Sequence, residues 1–449
     1  DPLSALRISH KLLLISVSLL LPIAVLLYFT VQGINYDIRF AELEVAGNEY
    51  QRPLMLLLDH ASRHQSLAHR QLSSSAAAES STDDVEDALS DESAKITMSV
   101  QSLLAAQQTH ATDLQFTESG LSKRQRTHAH PDRLLADWTQ LRDGLSTMKV
   151  SASDRAHRQL LDTIRAMISH SGDTSNLILD PDLDSYYLMD VTLLGLPQTL
   201  DRLGQLRSQG REWLAAGSAL SEVQKRQLAV QESLLKESDV DRVVGSVRTA
   251  LNEDANFYGV SATLRSSVEP SLDRYVSANR KLLAAMRTEI SAEQPVLSPD
   301  EWQTLVDDAA EAGRSLWAAA ATELDVLLNH RMDVFRASRR NSLLLLTLAL
   351  AISATLIFVV SSSITTPVTQ CVESLRTLAA KNLDVRADVT SNGEMGQIAL
   401  AVNQVADGMR GAIRSIREHA AQLHQGAERQ MEASHQLSAS AEETSTQAN

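Results

Sequence analysis

The sequence contains one cysteine, Cys371, among 449 residues, so no disulfide can form within a single chain. Only 4% of the residues are aromatic, and glycine and proline number 17 and 10. Strands favour aromatic residues, and their turns favour glycine and proline, so this composition favours an all-α fold. The net charge of −15 argues against a nucleic-acid partner, because the phosphate backbone would be repelled.

The sequence also lacks the short motifs of catalytic chemistry. It contains no glycine-rich phosphate loop, no motif that pairs a nucleophile with a general base and no cysteine–histidine spacing typical of zinc. We therefore expect no enzyme activity, no cofactor and no resident metal. His60, His64 and His69 lie on one predicted helix, but Arg63 between them would repel a cation, which argues against a metal site there.

Two uncharged runs interrupt this polar background. Leu12–Ile34 contains 23 uncharged residues and Leu343–Val360 contains 18, and an α-helix of about 20 apolar residues can cross a bilayer. Arg7 and Lys11 precede the first run, which predicts an amino terminus in the cytoplasm. The first run is too long for the core of a signal peptide, and no small-residue cleavage site follows it, so we interpret it as an uncleaved anchor.

Residues 35–341, between the two runs, show helical periodicity nearly throughout. Tyr50, Leu54 and Leu58, for example, fall on one face of a helix. The segment Ser298–Glu301 forms a capping box with proline at the first helical position, which predicts a helix start. About seven or eight long helices are expected, which fits either two stacked four-helix bundles or one long bundle with broken helices.

A distinctive segment within this region, Leu179–Asp190, reads LDPDLDSYYLMD. Its proline is expected to end one helix, and Asp182 or Asp184 to cap the next. Tyr187 and Asp190 would then lie in the first turns of that helix. One hypothesis is that the segment is only a corner of the bundle, which needs no ligand. The alternative hypothesis is that these two side chains line a ligand pocket between helices.

Two arginines on an earlier helix, Arg63 and Arg70, are a second candidate for ligand binding. A guanidinium group matches a carboxylate with two parallel hydrogen bonds, so the pair could bind a small organic acid. The alternative is that both arginines are simply solvated on the face of a bundle.

Two heptad seams follow the second uncharged run, separated by the connector Asn382–Gly393. The first seam runs through Val368, Val372, Leu375 and Ala379. The second seam runs through Met395, Ile398, Val402, Val405 and Met409. A first helix of Pro367–Lys381 would be about 22 Å long, and the connector can reach about 40 Å, so the second helix can run parallel to the first.

This arrangement resembles a HAMP domain, the relay behind the last membrane helix of bacterial transmembrane receptors. The resemblance rests on Pro367, on Leu383, Val385 and Val389 in the connector, and on Glu394-Met395-Gly396 at the start of the second helix. It implies a homodimer in which two chains complete a parallel four-helix coiled coil. The relay residues that it implies are Pro367, Val372, Leu375, Ala379, Glu394, Met395, Ile398 and Val402.

The coil beyond this domain resembles the methylation helix of chemoreceptors. Its segment Leu437–Ser445 places Glu442 and Glu443 among small residues, the setting that receptor methyltransferases recognise, although Gln447 stands where a small residue is usual. The resemblance implies a methyl-accepting chemotaxis receptor, with a histidine kinase, a coupling adaptor, a methyltransferase and a methylesterase as partners. The alternative is the sensor half of a histidine kinase or a cyclase. A purely structural tether would leave the connector without a purpose.

Together these patterns predict a two-pass protein of the bacterial cytoplasmic membrane that senses a small solute. Its predicted segments are a cytoplasmic stub (1–11), a first span (12–34), a periplasmic helical sensor (35–341), a second span (342–363), the HAMP domain (364–415) and the start of a signalling and methylation coil (416–449). The sensor also resembles the helical-bimodular modules of chemoreceptors. Because the chain starts at Asp1 and stops at Asn449 inside a helical pattern, we expect a fragment that lacks the signalling tip.

Overall fold

A computed structural model describes residues 8–76, 83–389 and 393–447 of the chain. Within these residues every regular element is a helix and there is no strand, which confirms the predicted all-α class. The α-helices are α1 (Ile8–Ala76), α2 (Asp83–His110), α3 (Glu118–Lys123), α4 (Pro131–Gly144), α5 (Val150–Thr174), α6 (Leu183–Met189), α7 (Leu196–Ala215), α8 (Glu222–Ser233), α9 (Asp241–Glu253), α10 (Leu264–Ser291), α11 (Pro299–Ala379) and α12 (Glu394–Gln447). Short 3₁₀ turns at Thr127–Ala129, Leu145–Thr147, Leu177–Leu179 and Asp254–Asn256, and π-helical turns at Asp190–Gly195 and Leu234–Val240, link or extend them.

The chain divides into two compact units. The first comprises Val31–Asn341, and the predicted sensor segment lies within it. The second comprises Asp1–Thr30 and Ser342–Asn449. It contains the first uncharged run except for its last residues, the whole second run and the predicted HAMP segment.

A continuous hydrophobic core fills the sensor unit. In this core Tyr50 of α1 stacks on Phe116, with ring centroids 4.3 Å apart. Two buried tryptophans attach helix α11 to this core. Trp302 donates its indole N–H to the Leu206 carbonyl (2.9 Å) and Trp317 to the Thr192 carbonyl (2.8 Å). Because a buried indole N–H needs an acceptor, these bonds fix the register of α11 against α7 and the turn before it.

The start of α11 agrees with the sequence. Ser298 and Glu301 form the predicted capping box: the Glu301 carboxylate accepts the Ser298 amide (2.9 Å), and the Ser298 hydroxyl accepts the Glu301 amide (3.2 Å). Pro299 is the first residue of the helix, as predicted. Gly217 follows the end of α7 with a φ of +61°, the left-handed conformation in which glycine ends helices.

The sequence pattern predicts a continuous helix over Asp184–Ala216, with Gly217 as its stop, and another over Asp254–Ile290. The structure interrupts both. The helix expected from Asp184 onward widens into a π-helical turn at Asp190–Gly195 just before Pro197, because proline cannot donate to the carbonyl four residues earlier and its ring crowds that carbonyl. The helix expected from Asp254 begins only at Leu264. Tyr258 and Gly259, with φ of +52° and +99°, turn the chain in the loop between them.

The structure corrects one predicted boundary in the second unit. Pro367 does not open a helix but lies inside α11, which continues to Ala379. The preceding residues, Ser362 and Ser363, bond their hydroxyls to carbonyls of the previous turn (3.0 Å each), so the helix is already formed when the chain reaches the proline. The energetic cost of Pro367 is confined to one missing backbone hydrogen bond and to crowding with the carbonyl four residues earlier.

Helices α1 and α11 each contain a stretch that is long and apolar enough to cross a membrane, with mean hydropathies of 2.4 and 2.8. Their apolar side chains are exposed rather than packed in a protein core: Leu26 is 68% exposed and Phe358 is 74% exposed. This exposure agrees with the two predicted membrane spans, because lipid would cover such surfaces.

Gly210 of α7 provides a test of the packing between α7 and α11. A Cβ atom at this position would lie 2.3 Å from the buried Trp302 ring, whereas a Cβ at Gly245 of α9 would meet nothing within 4 Å. We expect Gly210→Ala to lower the free energy of unfolding by about 1 to 3 kcal/mol through overpacking. The control, Gly245→Ala, should raise it by up to about 1 kcal/mol, because alanine favours helix. Urea unfolding of the full chain in detergent, followed by circular dichroism, measures both; equal effects would contradict the packing described here.

Candidate functional site

Two sets of residues are candidates for function: the predicted HAMP segment and a buried charged cluster in the sensor unit. In the HAMP segment, helix α11 ends cleanly. Lys381 takes a left-handed φ of +71°, its amide bonds to the Leu378 carbonyl (3.0 Å) and the Asn382 amide bonds to the Thr377 carbonyl (3.2 Å). This is the usual way to close the last turn of a helix and turn the chain away.

The connector then runs back along α12. Leu383 accepts a hydrogen bond from Arg410 (2.6 Å), and four residues later the Ala387 backbone makes two bonds with the Asn403 amide (2.9 Å each). As the connector advances, its partners on α12 therefore move toward the start of that helix. The connector is antiparallel to α12, so the HAMP part of α11 and α12 run in the same direction, as the connector length predicts.

Small side chains form the contact between the two helices within one chain. Cys371 of α11 packs with Ala387 of the connector and with Ala399 and Val402 of α12. Of the predicted relay residues, Val402 is buried, Pro367 and Met395 are half-buried, and the others are exposed: Val372, Leu375, Ala379, Glu394 and Ile398. The single chain thus leaves much of its apolar surface uncovered, as a four-helix coiled coil of two chains would require.

The buried charged cluster in the sensor unit centres on Arg331 of α11. Its Nη1 donates to Glu44 of α1 (2.9 Å), its Nη2 to Asp180 (2.7 Å) and to the Ser185 hydroxyl, and its Nε lies 2.6 Å from Asp182 Oδ2. The side chains of Glu44 and Asp180 are 0% exposed and that of Arg331 is 3% exposed. One guanidinium group therefore joins α1, the segment 180–185 and α11, which are remote from one another in sequence.

The carboxylates in this cluster outnumber the cation. Burial, reinforced by the negative charge of Asp180, raises the pKa of Glu44 to about 9. Burial also raises the pKa of Asp180, although Arg331 opposes the change, and it raises the pKa of Asp184 to about 6. Glu44, Asp180 and Asp184 are costly to keep ionised, because burial penalises charge and one arginine cannot compensate for all of them.

A cavity of about 360 Å³ lies beside the cluster. Asp184, Ser185 and Arg331 line one side, and Val326 and Leu327 of α11 line another. The remaining wall is formed by His330 of α11 and by the loop of residues 257–263 that precedes α10. The cavity falls in the size range of small-molecule sites, which are mostly apolar with a few polar groups.

The predicted residues of the LDPDLDSYYLMD segment each contact different partners in the structure. Asp190 accepts hydrogen bonds from Arg242 (2.5 Å) and the Ser246 hydroxyl (2.8 Å), and half-buried Tyr187 packs against the hydrophobic core. Asp182 occupies the predicted capping position of α6, but its side chain makes no capping bond. Its carboxylate faces Arg331 instead, because a buried guanidinium offers a charged partner that a helix end cannot match.

The two predicted arginines, Arg63 and Arg70, lie in different surroundings. Arg63 lies 3.3 Å from Asp59 and lines a cavity of about 210 Å³ together with Lys95. Burial and the nearby charge of Arg211 lower the pKa of Arg70. Among the described residues, no hydrogen bond or ion pair joins these arginines to Tyr187 or Asp190.

The three histidines of α1 bind three different partners. His60 contacts Glu92 (2.7 Å), His64 contacts His157 (2.8 Å) and His69 contacts Asp154 (3.1 Å). Across residues 8–76, 83–389 and 393–447, no group of three or more His, Cys, Asp or Glu side chains is placed to hold a metal ion.

Sequence reasoning missed Arg331, Glu44 and Asp180. A signal for the first two exists: Arg331 lies three residues after Leu328 and Glu44 three residues after Ala41, so each charge stands on the apolar stripe of its helix. Charged residues are almost never fully buried unless they are paired. Which acid pairs with which base is not encoded by this spacing.

Comparison with known proteins identifies one part of the chain. The model of the HAMP domain family matches residues 359–411, which overlaps the predicted segment 364–415. Neither a curated protein nor a solved structure shows significant similarity to the chain. The chain is therefore a HAMP-containing signalling protein with two candidate membrane spans.

Glu44 allows the charged cluster to be tested through pH. Its raised pKa means that the folded chain holds a proton that the unfolded chain loses near its ordinary value of 4.5, so stability falls as the pH rises from there toward 9. Glu44→Gln mimics the protonated acid and should reduce this loss. Its unfolding free energy relative to the natural chain should grow by about 1 to 3 kcal/mol between pH 5 and pH 9.

Urea unfolding of the full chain in detergent at several pH values measures this difference. Glu86→Gln, which removes an exposed carboxylate of α2, is the control and should leave the pH profile unchanged. Parallel profiles for Glu44→Gln and the natural chain would mean that Glu44 is ionised in the folded state.

The exposed HAMP seam predicts a position-specific crosslink between two chains. Because Cys371 is buried within its own chain, it should be replaced by serine first. In that background Leu375→Cys should form disulfide dimers in oxidised membranes several-fold faster than Arg376→Cys, whose side chain is 77% exposed and lies off the seam. Equal rates at the two positions would contradict an interface formed by this seam.

Proposed function

We propose that this HAMP-containing chain is a methyl-accepting chemotaxis receptor: its sensor unit responds to a small solute, and its HAMP domain passes the response to a cytoplasmic coil. The observation that carries this proposal is the HAMP match at 359–411, which begins at the end of the second apolar stretch and on the same helix. A relay in this position has a purpose only if a signal crosses the membrane.

The charges around the first span support the proposed orientation. Arg7 and Lys11 precede the first apolar run, which favours an amino terminus in the cytoplasm. Two spans return the chain to that side, so the HAMP domain and α12 face the cytoplasm and the sensor unit faces the periplasm. We place the protein in the bacterial cytoplasmic membrane, without catalytic activity of its own.

The composition of the HAMP contact suits a relay between two arrangements. Within the chain Cys371 of α11 packs with the small residues Ala387 and Ala399, which leave room for small shifts. The half-buried Met395 has a flexible side chain that repacks at low cost. Arrangements that differ by a few kcal/mol can be interchanged by the differential binding of a ligand, and tightly interlocked ones cannot.

Helix α12 supports the proposed adaptation site. Glu442 and Glu443 are exposed, so a methyltransferase can reach them. Methyl esterification removes a negative charge and lowers the repulsion between neighbouring helices of the coil. Arg63 and Arg70 remain the predicted contacts for an acidic solute, and the kinase, adaptor, methyltransferase and methylesterase remain the partners that the resemblance implies.

Methylation of the chain distinguishes a chemotaxis receptor from the sensor half of a histidine kinase or a cyclase. In membranes supplied with a chemotaxis methyltransferase and labelled S-adenosylmethionine, we expect base-labile label on the chain. Substitution of Glu442 and Glu443 together by alanine should remove most of this label, since the ester needs a carboxylate.

Glu418→Ala is the matched control, because it removes an exposed glutamate of the same helix that lacks small neighbours. It should leave the label unchanged. A chain that takes up no label with an active methyltransferase would favour the kinase or cyclase alternative and overturn the receptor proposal.

A further inference from the structure

The charged cluster in the sensor unit has no capacity left for an anion. The guanidinium of Arg331 already faces Glu44, Asp180 and Asp182, at 2.9, 2.7 and 2.6 Å. An incoming carboxylate would have to displace one of these acids and would add to a local excess of negative charge. Coulomb repulsion in a site of low dielectric constant makes that exchange unfavourable.

One carboxylate oxygen beside the cavity is still free to bind. The two hydrogen bonds that Asp184 accepts, from the amide and hydroxyl of Ser185, both end on Oδ1 (2.7 and 3.4 Å). In the described part of the chain, Oδ2 receives no hydrogen bond. Asp184 is only 3% exposed and lines the cavity, so this oxygen belongs to a carboxylate that burial has already deprived of water.

The rest of the cavity wall is largely apolar. Val326 and Leu327 of α11 provide aliphatic surface, and Phe257 and Tyr258 provide aromatic rings. An aromatic face attracts a cation through its quadrupole and attracts hydrocarbon through burial. The cavity therefore combines an acidic end with walls suited to carbon chains.

We propose that this cavity binds an organic cation, with its ammonium group on Asp184 and its apolar body between Val326 and Phe257. The ammonium group would donate to the free oxygen of Asp184 and reduce the excess negative charge around Arg331. Binding itself stands on the cavity alone. Only its consequence for signalling rests on the proposed receptor function, for which the same cavity supplies a ligand class.

The cavity also favours an organic cation over a metal ion. Apart from the free oxygen of Asp184, the nearest carboxylates face Arg331, and the described residues offer no cluster of ligands placed for a metal. A bare divalent ion would leave the apolar wall uncovered. An alkylammonium ion of a few carbons supplies the complementary charge and fits within the volume of about 360 Å³.

The loop of residues 257–263 that forms part of the cavity wall is fastened to α11. Tyr258 and Gly259 lie at its turn with positive φ, and the His330 ring of α11 contacts the Tyr258 carbonyl (3.1 Å). Thr263 donates its hydroxyl to Glu323 of α11 (2.7 Å) at the other end of the loop. A bound cation would therefore contact both α11 and a loop fastened to α11 at two points.

Isothermal titration calorimetry of the full chain in detergent tests the proposal with three probes of one shape: pentylammonium, pentanoate and 1-pentanol. We expect pentylammonium to bind at least tenfold more tightly than the other two. Asp184→Asn should weaken its binding at least tenfold. The control, Asp333→Asn, removes an acid of α11 that is 72% exposed, and it should change the affinity less than twofold.

A second variant keeps the test decisive if Asp184→Asn does not fold. Val326→Phe fills the cavity at an exposed position without touching the charges, and it should also weaken pentylammonium binding at least tenfold. The proposal is overturned if pentylammonium does not bind at millimolar concentration, if both variants retain its affinity, or if pentanoate binds better.

Pentanoate binding that is lost in Arg63→Ala would instead support the acidic ligand predicted from the sequence. Methylation of Glu442 and Glu443 is measured without any ligand. Failure of the cavity proposal and failure of the receptor proposal therefore give different results.

Discussion

The ion cluster around Arg331 is the contact on which the sensor unit most depends. It joins α1, the corner that precedes α6 and α11 through one buried guanidinium, with partners as far apart in sequence as Glu44 and Arg331. Removing one member of a buried pair leaves an uncompensated charge, which costs far more than a lost surface ion pair. The cluster also sets the electrostatics of the neighbouring cavity, because it supplies more carboxylates than one arginine can balance. Fold and candidate ligand site thus share the same side chains.

The HAMP segment follows the opposite design. Its contacts within one chain are made by small residues and by a connector held by Asn403, while larger apolar residues such as Leu375 and Ile398 stay exposed. The sensor unit is thus specified by buried charges with fixed partners, and the HAMP segment by loosely filled helix contacts. Rigid specification suits recognition, whereas low-cost repacking suits a relay.

The sequence predicts those features of this chain that depend on local pattern. Helical periodicity, the capping box at Ser298, the helix stop at Gly217 and the parallel order of the HAMP helices each depend on residues close together in the chain, and the structure contains them. The π-helical turn before Pro197 and the continuation of α11 through Pro367 depend on how proline is accommodated by a helix already formed, which spacing alone does not determine. The Arg331 cluster needs the distances between remote helices, so the sequence shows only that charges stand on apolar stripes.

Helix α12 carries a consequence for assembly. From Ile413 to Gln447 all of its residues are exposed, so in a single chain this long segment gains nothing from tertiary packing. Most of the stability of helices in proteins comes from packing of an apolar face, and this segment leaves apolar residues such as Leu423 and Met431 exposed. The order of the coil must then be supplied by neighbouring copies. The local density of the chain in the membrane, rather than the single molecule, would set how much of the coil is folded at any moment.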